Sequence, residues 1–185
     1  MPKNQTIPSD ACQLRASLGG AVVTDDSFTL TPYVAGQRVD HGYWEAFVFE
    51  TSSMKMGREV IPVTVDHETT RGAGFVSSMS VDNNGEVNFN GDFVDSAYVK
   101  SFKDTKVMQT SLQFDPSNTD MIYIDSEEST EVDGVMHQGP LFVFKNASII
   151  EVAFTLIGAV PDTTTKFSKP STNMEKPMAD NVPNE

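Results

Sequence analysis

Cysteine occurs once in this chain, at Cys12, tryptophan once and histidine three times. A single cysteine excludes an intramolecular disulfide and any cysteine-cluster zinc site. No segment approaches the roughly 20 apolar residues that a membrane span requires, and no apolar h-region of the secretory kind stands near the N-terminus. The expectation is therefore a soluble, cytoplasmic protein. Cations are scarce too: 13 Lys and Arg against 26 Asp and Glu leave a net charge of -13. Without a local basic patch, such a surface repels phosphates, which argues against nucleic acid as a partner. The acidity serves solubility, with an acidic docking surface as the alternative.

The 185 residues suit one domain plus a tail. Residues 1–18 are polar and mixed and read as a flexible lead-in. Residues 19–161 carry short Val-, Phe-, Tyr- and Thr-rich runs such as AVVTDDSFTLTPYVAG and YWEAFVFETSS, separated by Gly, Asn, Asp and Ser clusters. That pattern predicts a mainly β domain with a few helices, an α+β class. FVSSMSVDNNGEVNFNGDFV (75–94) reads as a hairpin through Asn84-Gly85, a dipeptide that accepts positive φ. DSAYVKSFKDTK (95–106) predicts a helix of about three turns, with Asp95 or Ser96 as N-cap and lysines at its end. VMQTSLQF (107–114) then alternates in the strand sense, setting Thr110, Leu112 and Phe114 on one face and Gln109, Ser111 and Gln113 on the other. A carboxylate-dense loop or hairpin (120–134), a strand PLFVF and a last apolar run ASIIEVAFTLIGAV (147–160) follow. From Asp162 to Glu185 the composition turns to Thr, Ser, Pro, Asn and Lys, which predicts a disordered tail or a linker to a scaffold segment.

Three polar residues stand within or at the ends of otherwise apolar runs: His67 in IPVTVDHETT, Ser111 in QTSLQF and Glu151 in SIIEVAF. A serine hydroxyl needs a base to take its proton, and a neutral imidazole is the usual one. The base works better when a carboxylate accepts its other N–H, so Ser, His and Glu form a chemically complete set. Each also has a plainer reading. A histidine at a strand end is commonly just hydrogen-bonded, no GxSxG surrounds any serine, and Glu151 on an edge strand could face water. His41 and His137 lie in loop-like contexts, HExxH is absent and the spacings match no ligand motif, so neither a metal nor a cofactor is expected.

The order of these segments resembles the phage prohead proteases, capsid-maturation serine proteases akin to herpesvirus assemblin. The resemblance rests on VDHETTRGAG, the glycine-bearing hairpin, the helix leading into KVMQTSLQFDP and the late strand IIEVAFTLIGAVPDTTTKF, over about residues 40–165. It implies an assemblin-like β-barrel flanked by short helices, with His67 as general base, Ser111 as nucleophile and Glu151 as orienting carboxylate. The family's pattern often has Gly or a small residue soon after the serine, where this chain has Gln113, and a serine where it has Ala153. His137 stays open as the third member, because the herpesvirus relatives use a second histidine. Arg71, with Gly72 and Gly74, is the candidate oxyanion region.

The implied activity is a serine endopeptidase that cuts the scaffolding protein, itself and the major capsid protein inside the assembling procapsid in the host cytoplasm. Homo-oligomerisation is compatible with it. The competing expectation is a catalytically inactive structural or scaffold-associated virion protein of the same fold. A carbohydrate-binding β module ranks third, since only Tyr43-Trp44 and the Tyr123 region offer the aromatics it would need.

Overall fold

The computed structural model describes residues 13–14, 21–24, 26–41, 43–95, 97–98 and 109–155. The β-branched and aromatic runs become strands: β1 (Gln13–Leu14), β2 (Ala21–Val23), β3 (Ser27–Val34), β4 (Val39–His41), β5 (Glu45–Phe49), β6 (Lys55–Met56), β7 (Ile61–Val65), β8 (Glu68–Val81), β9 (Glu86–Phe93), β10 (Gln109–Phe114), β11 (Asp120–Ile124), β12 (Ser129–Val132), β13 (Val135–Gln138), β14 (Leu141–Lys145) and β15 (Ser148–Thr155). The architecture is mainly β, with 3-10 turns at Thr51–Ser53 and Pro116–Asn118.

The large sheet runs β1, β10, β15, β7, β8, β9, β3, β2, with β6 added against β15. It curls into half a barrel, which brings β10 close to β3. A second sheet runs β11, β14, β5, β4, and β12 with β13 forms a separate hairpin. The two sheets share one core: Phe47, Phe49 and Phe144 from the second meet Tyr33, Phe114 and Leu112 from the first. Ring edges interlock there, as in Tyr33 with Phe49 at 5.2 Å and Phe49 with Phe114 at 5.7 Å between centroids. The other face of the second sheet packs Ala46, Val48, Leu141 and Val143 beneath Val132 of the hairpin.

Several sequence expectations are refined. The Asn84-Gly85 hairpin forms between β8 and β9, but only Gly85 takes positive φ (77°). Asp82 makes the loop, its carboxylate accepting from the N–H groups of Asn84 and Glu86 at 2.8 and 3.0 Å. The carboxylate-dense stretch supplies β11, β12 and a two-residue Asp133-Gly134 turn with both φ positive. Within the expected lead-in, Gln13–Leu14 pair with Gln113 and Leu112 of β10; its other residues, and the tail over 162–185, lie outside the described residues. Of the helix expected over 95–106, Ala97 and Tyr98 are helical and Asp95 Oδ1 accepts from Ala97 N at 2.8 Å, as a cap does. Its remaining residues lie outside the described ones.

Candidate active site

The middle of the large sheet, β10, β15 and β7, builds the site. Pairing sets Ser111 opposite Ala153, and Ala153 beside Thr64, in one row across three strands. Paired residues share a face, and so do residues two apart on a strand. Glu151, which pairs with Gln113, therefore stands on the same face as Ser111 and Thr64. The opposite face of the same strands carries Leu112, Val152, Phe154 and Val63 into the core. A bulge after Gln113 pairs Phe114 with Ile149, leaving Ile150 extra on β15. That extra residue lets Ile149 enter the core although it lies two positions before Glu151.

His67 reaches this row from a tight turn. Val65 pairs with Glu68, and between them Asp66 and His67 take φ of 55° and 61°. Two consecutive positive φ values are the mark of a type I′ hairpin turn, and Asp66 N donates to Phe154 O at 2.8 Å, tying the turn to β15. His67 is thus a turn residue rather than the last residue of a strand. Its ring spans the other two side chains: Nε2 lies 2.7 Å from Ser111 Oγ and Nδ1 lies 3.1 Å from Glu151 Oε1. The same Glu151 oxygen accepts a hydrogen bond from the Thr64 hydroxyl.

Glu151 is 8 % exposed and lies on a central strand, so the edge-strand reading of this residue is corrected. Burial raises its carboxyl pKa, but hydrogen bonds from His67 and Thr64, with the charges of His67 and Arg58, outweigh burial and hold it below the ordinary value. A carboxylate kept ionised at Nδ1 favours the tautomer in which Nδ1 carries the proton and Nε2 is free to take the one on Ser111. The arrangement is that of a general base bonded to a hydroxyl and oriented by a carboxylate.

The other candidates lie elsewhere. His137 is on β13 opposite Thr130, buried, and burial followed by the nearby Arg38 charge lowers its pKa. His41 is on β4, where Nδ1 accepts from Tyr43 N at 3.2 Å. Among the described residues, no group of three or more His, Cys, Asp or Glu side chains is placed to hold a metal. Arg71 lies 3.8 Å from Asp66 and 3.6 Å from Glu68 carboxylate oxygens. Gly74 is needed by the sheet itself, because a Cβ there would sit 2.3 Å from the Asp92 carbonyl oxygen, whereas a Cβ at Gly72 would touch nothing within 4 Å. Thr64 escaped the sequence reading, although a hydroxyl inside IPVTV is the same kind of signal as the carboxylate inside SIIEVAF.

Ser111 is fully buried. Two residues along the same face, the buried Thr155 hydroxyl has no hydrogen-bond partner among the described residues. Comparison with protein-family models, with curated proteins and with solved structures returns no match.

Proposed function

We propose that this chain is a serine endopeptidase of the prohead-maturation type, built on an assemblin-like β-barrel. Its substrates in this reading are the scaffolding protein, the chain itself and the major capsid protein, cut within the assembling procapsid. The observation that carries the proposal is the His67 ring bonded on both nitrogens, to Ser111 on one side and Glu151 on the other, by residues from two separate strands and a turn. The order of segments supports the family and the substrates; the hydrogen-bond geometry supports the chemistry.

The steps follow from the atoms present. His67 Nε2 takes the Ser111 proton as Oγ attacks the scissile carbonyl carbon, and Glu151 stabilises the imidazolium that forms. The imidazolium then protonates the leaving amine, giving an acyl-enzyme on Ser111 Oγ. Water, deprotonated by the same nitrogen, releases the carboxylic acid and restores the hydroxyl.

The second reading, a structural virion protein of the same fold without activity, is favoured by one observation: the complete burial of Ser111. Co-expression with the scaffolding and capsid proteins, followed by intact mass, separates the two. Under the proposal, wild type yields cleaved products and Ser111→Ala yields none; identical masses would leave the structural reading standing.

A further inference from the structure

We propose that Thr64 is a positioning residue of this site: its hydroxyl holds Glu151 Oε1 where that oxygen can also accept the Nδ1–H of His67. The inference rests on the reading of His67 as the base for Ser111 and deepens it by adding a fourth residue to the relay.

The need for such a residue comes from the length of Glu151. A glutamate has one more rotatable bond than an aspartate, so its carboxylate can swing away from an imidazole at more than one rotamer. A single hydrogen bond of 3.1 Å from His67 leaves that freedom open. The Thr64 hydroxyl removes it by binding the same oxygen from β7. Being β-branched, threonine is stiff at χ1, and its strand is fixed by pairing with β15 on one side and β8 on the other.

The choice of residue points the same way. Thr64 sits between Val63 and Val65, is 4 % exposed, and could bury as well as a valine of the same shape. A hydroxyl is costly there unless it is bonded. Its partner is the one carboxylate that orients the candidate base. Because an ionised carboxylate only accepts, Thr64 must donate, and Glu151 is left to accept from His67 as well. The two bonds together fix the proton on Nδ1 and leave Nε2 as the acceptor facing Ser111.

The test uses the full chain with Thr64→Val, which keeps the shape and removes the hydroxyl, and Thr64→Ser, which restores it. Two readouts are taken. The first is the 15N signature of the His67 ring at neutral pH, assigned with His67→Gln, which reports which nitrogen carries the proton. The second is kcat and KM as a function of pH on a peptide from the scaffold cleavage site.

The expected result is an Nδ1–H ring in wild type and Thr64→Ser and a tautomer mixture in Thr64→Val. In Thr64→Val, kcat falls by about tenfold to a hundredfold, as for loss of a hydrogen bond to a charged group, while KM stays within about twofold, because the bond acts on the base and not on the bound substrate. Should Thr64→Val not fold by circular dichroism, Thr64→Ala carries the same expectation. An unchanged ring signature in the hydroxyl-free variant, or a loss in Thr64→Ser as large as in Thr64→Val, would overturn the role of Thr64. If wild type cleaves nothing, the protease reading fails, and the ring signature alone decides whether Thr64 sets the state of His67.

Discussion

A carboxylate in the middle strand of a sheet has to be held by something other than water. Glu151 is held by His67 Nδ1 and the Thr64 hydroxyl, and these bonds, with nearby positive charge, keep its pKa below the ordinary 4.5 in spite of burial. The direction of that shift fixes its effect on stability. A depressed pKa in the folded state contributes stability that is complete above 4.5 and is lost as the pH falls below it, because the unfolded chain then takes up the proton first. Glu151→Gln keeps the shape and has no such titration. In urea unfolding, the stability of wild type relative to Glu151→Gln should shrink between about pH 6 and about pH 3.5; an equal difference at both would show that folding does not perturb this carboxyl. For the proposed endopeptidase the same substitution lowers kcat by about 10⁴-fold, the scale of loss when a triad carboxylate becomes an amide and the imidazole takes the wrong tautomer.

The element that matters most is the two-residue turn between β7 and β8. Asp133-Gly134 forms the other described hairpin turn with two positive φ values, and there the second residue is the glycine that such turns favour. Here the second residue is His67, and an L-residue in this region costs about 1–2 kcal/mol, least for Asn, Asp and similar short polar residues. Strain of this kind persists where surrounding contacts over-determine it; in this turn they are the Asp66 N–H on Phe154 O and the two ring bonds of His67. Asp66→Val, β-branched at φ 55°, should lose about 1–2 kcal/mol in chemical denaturation and move the imidazole off Ser111. Asp66→Asn should stay within about 0.5 kcal/mol of wild type and keep its activity. Equal stability of the two variants would mean that the turn does not hold these angles in solution.

Across the whole molecule, the half-barrel sheet and the smaller sheet are joined through Tyr33 as well as through their shared core. Its hydroxyl, on β3 of the large sheet, donates to Gln37 O and accepts from Phe49 N of the smaller sheet at 2.9 Å. Burial raises its pKa far above the ordinary value, which keeps it a neutral phenol at neutral pH. Tyr33→Phe keeps the ring contact with Phe49 and leaves a buried N–H without its acceptor. The expected loss is about 1–3 kcal/mol, read as a lower urea midpoint at unchanged m-value. No loss would show that the sheets are held by apolar packing alone.

The mainly β class was legible along the chain, because strand runs of Val, Phe and Thr and their turn residues are local signals. Ser111, His67 and Glu151 could be singled out for the same reason: each is a polar residue placed against an apolar pattern, and such a placement shows in a window of a few residues. The bonds among them could not be read there, since they depend on which strands become neighbours. Only the tertiary structure decides that β15 lies between β10 and β7, which puts Ser111, Ala153 and Thr64 in one row and sets Glu151 two residues along the same face. It also decides that Asp66 and His67 form a turn rather than a strand end, because that depends on the pairing of Val65 with Glu68. Composition and periodicity are properties of nearby residues. A site whose parts lie 44 and 84 residues apart is a property of sheet order, set by which apolar faces can be buried against one another.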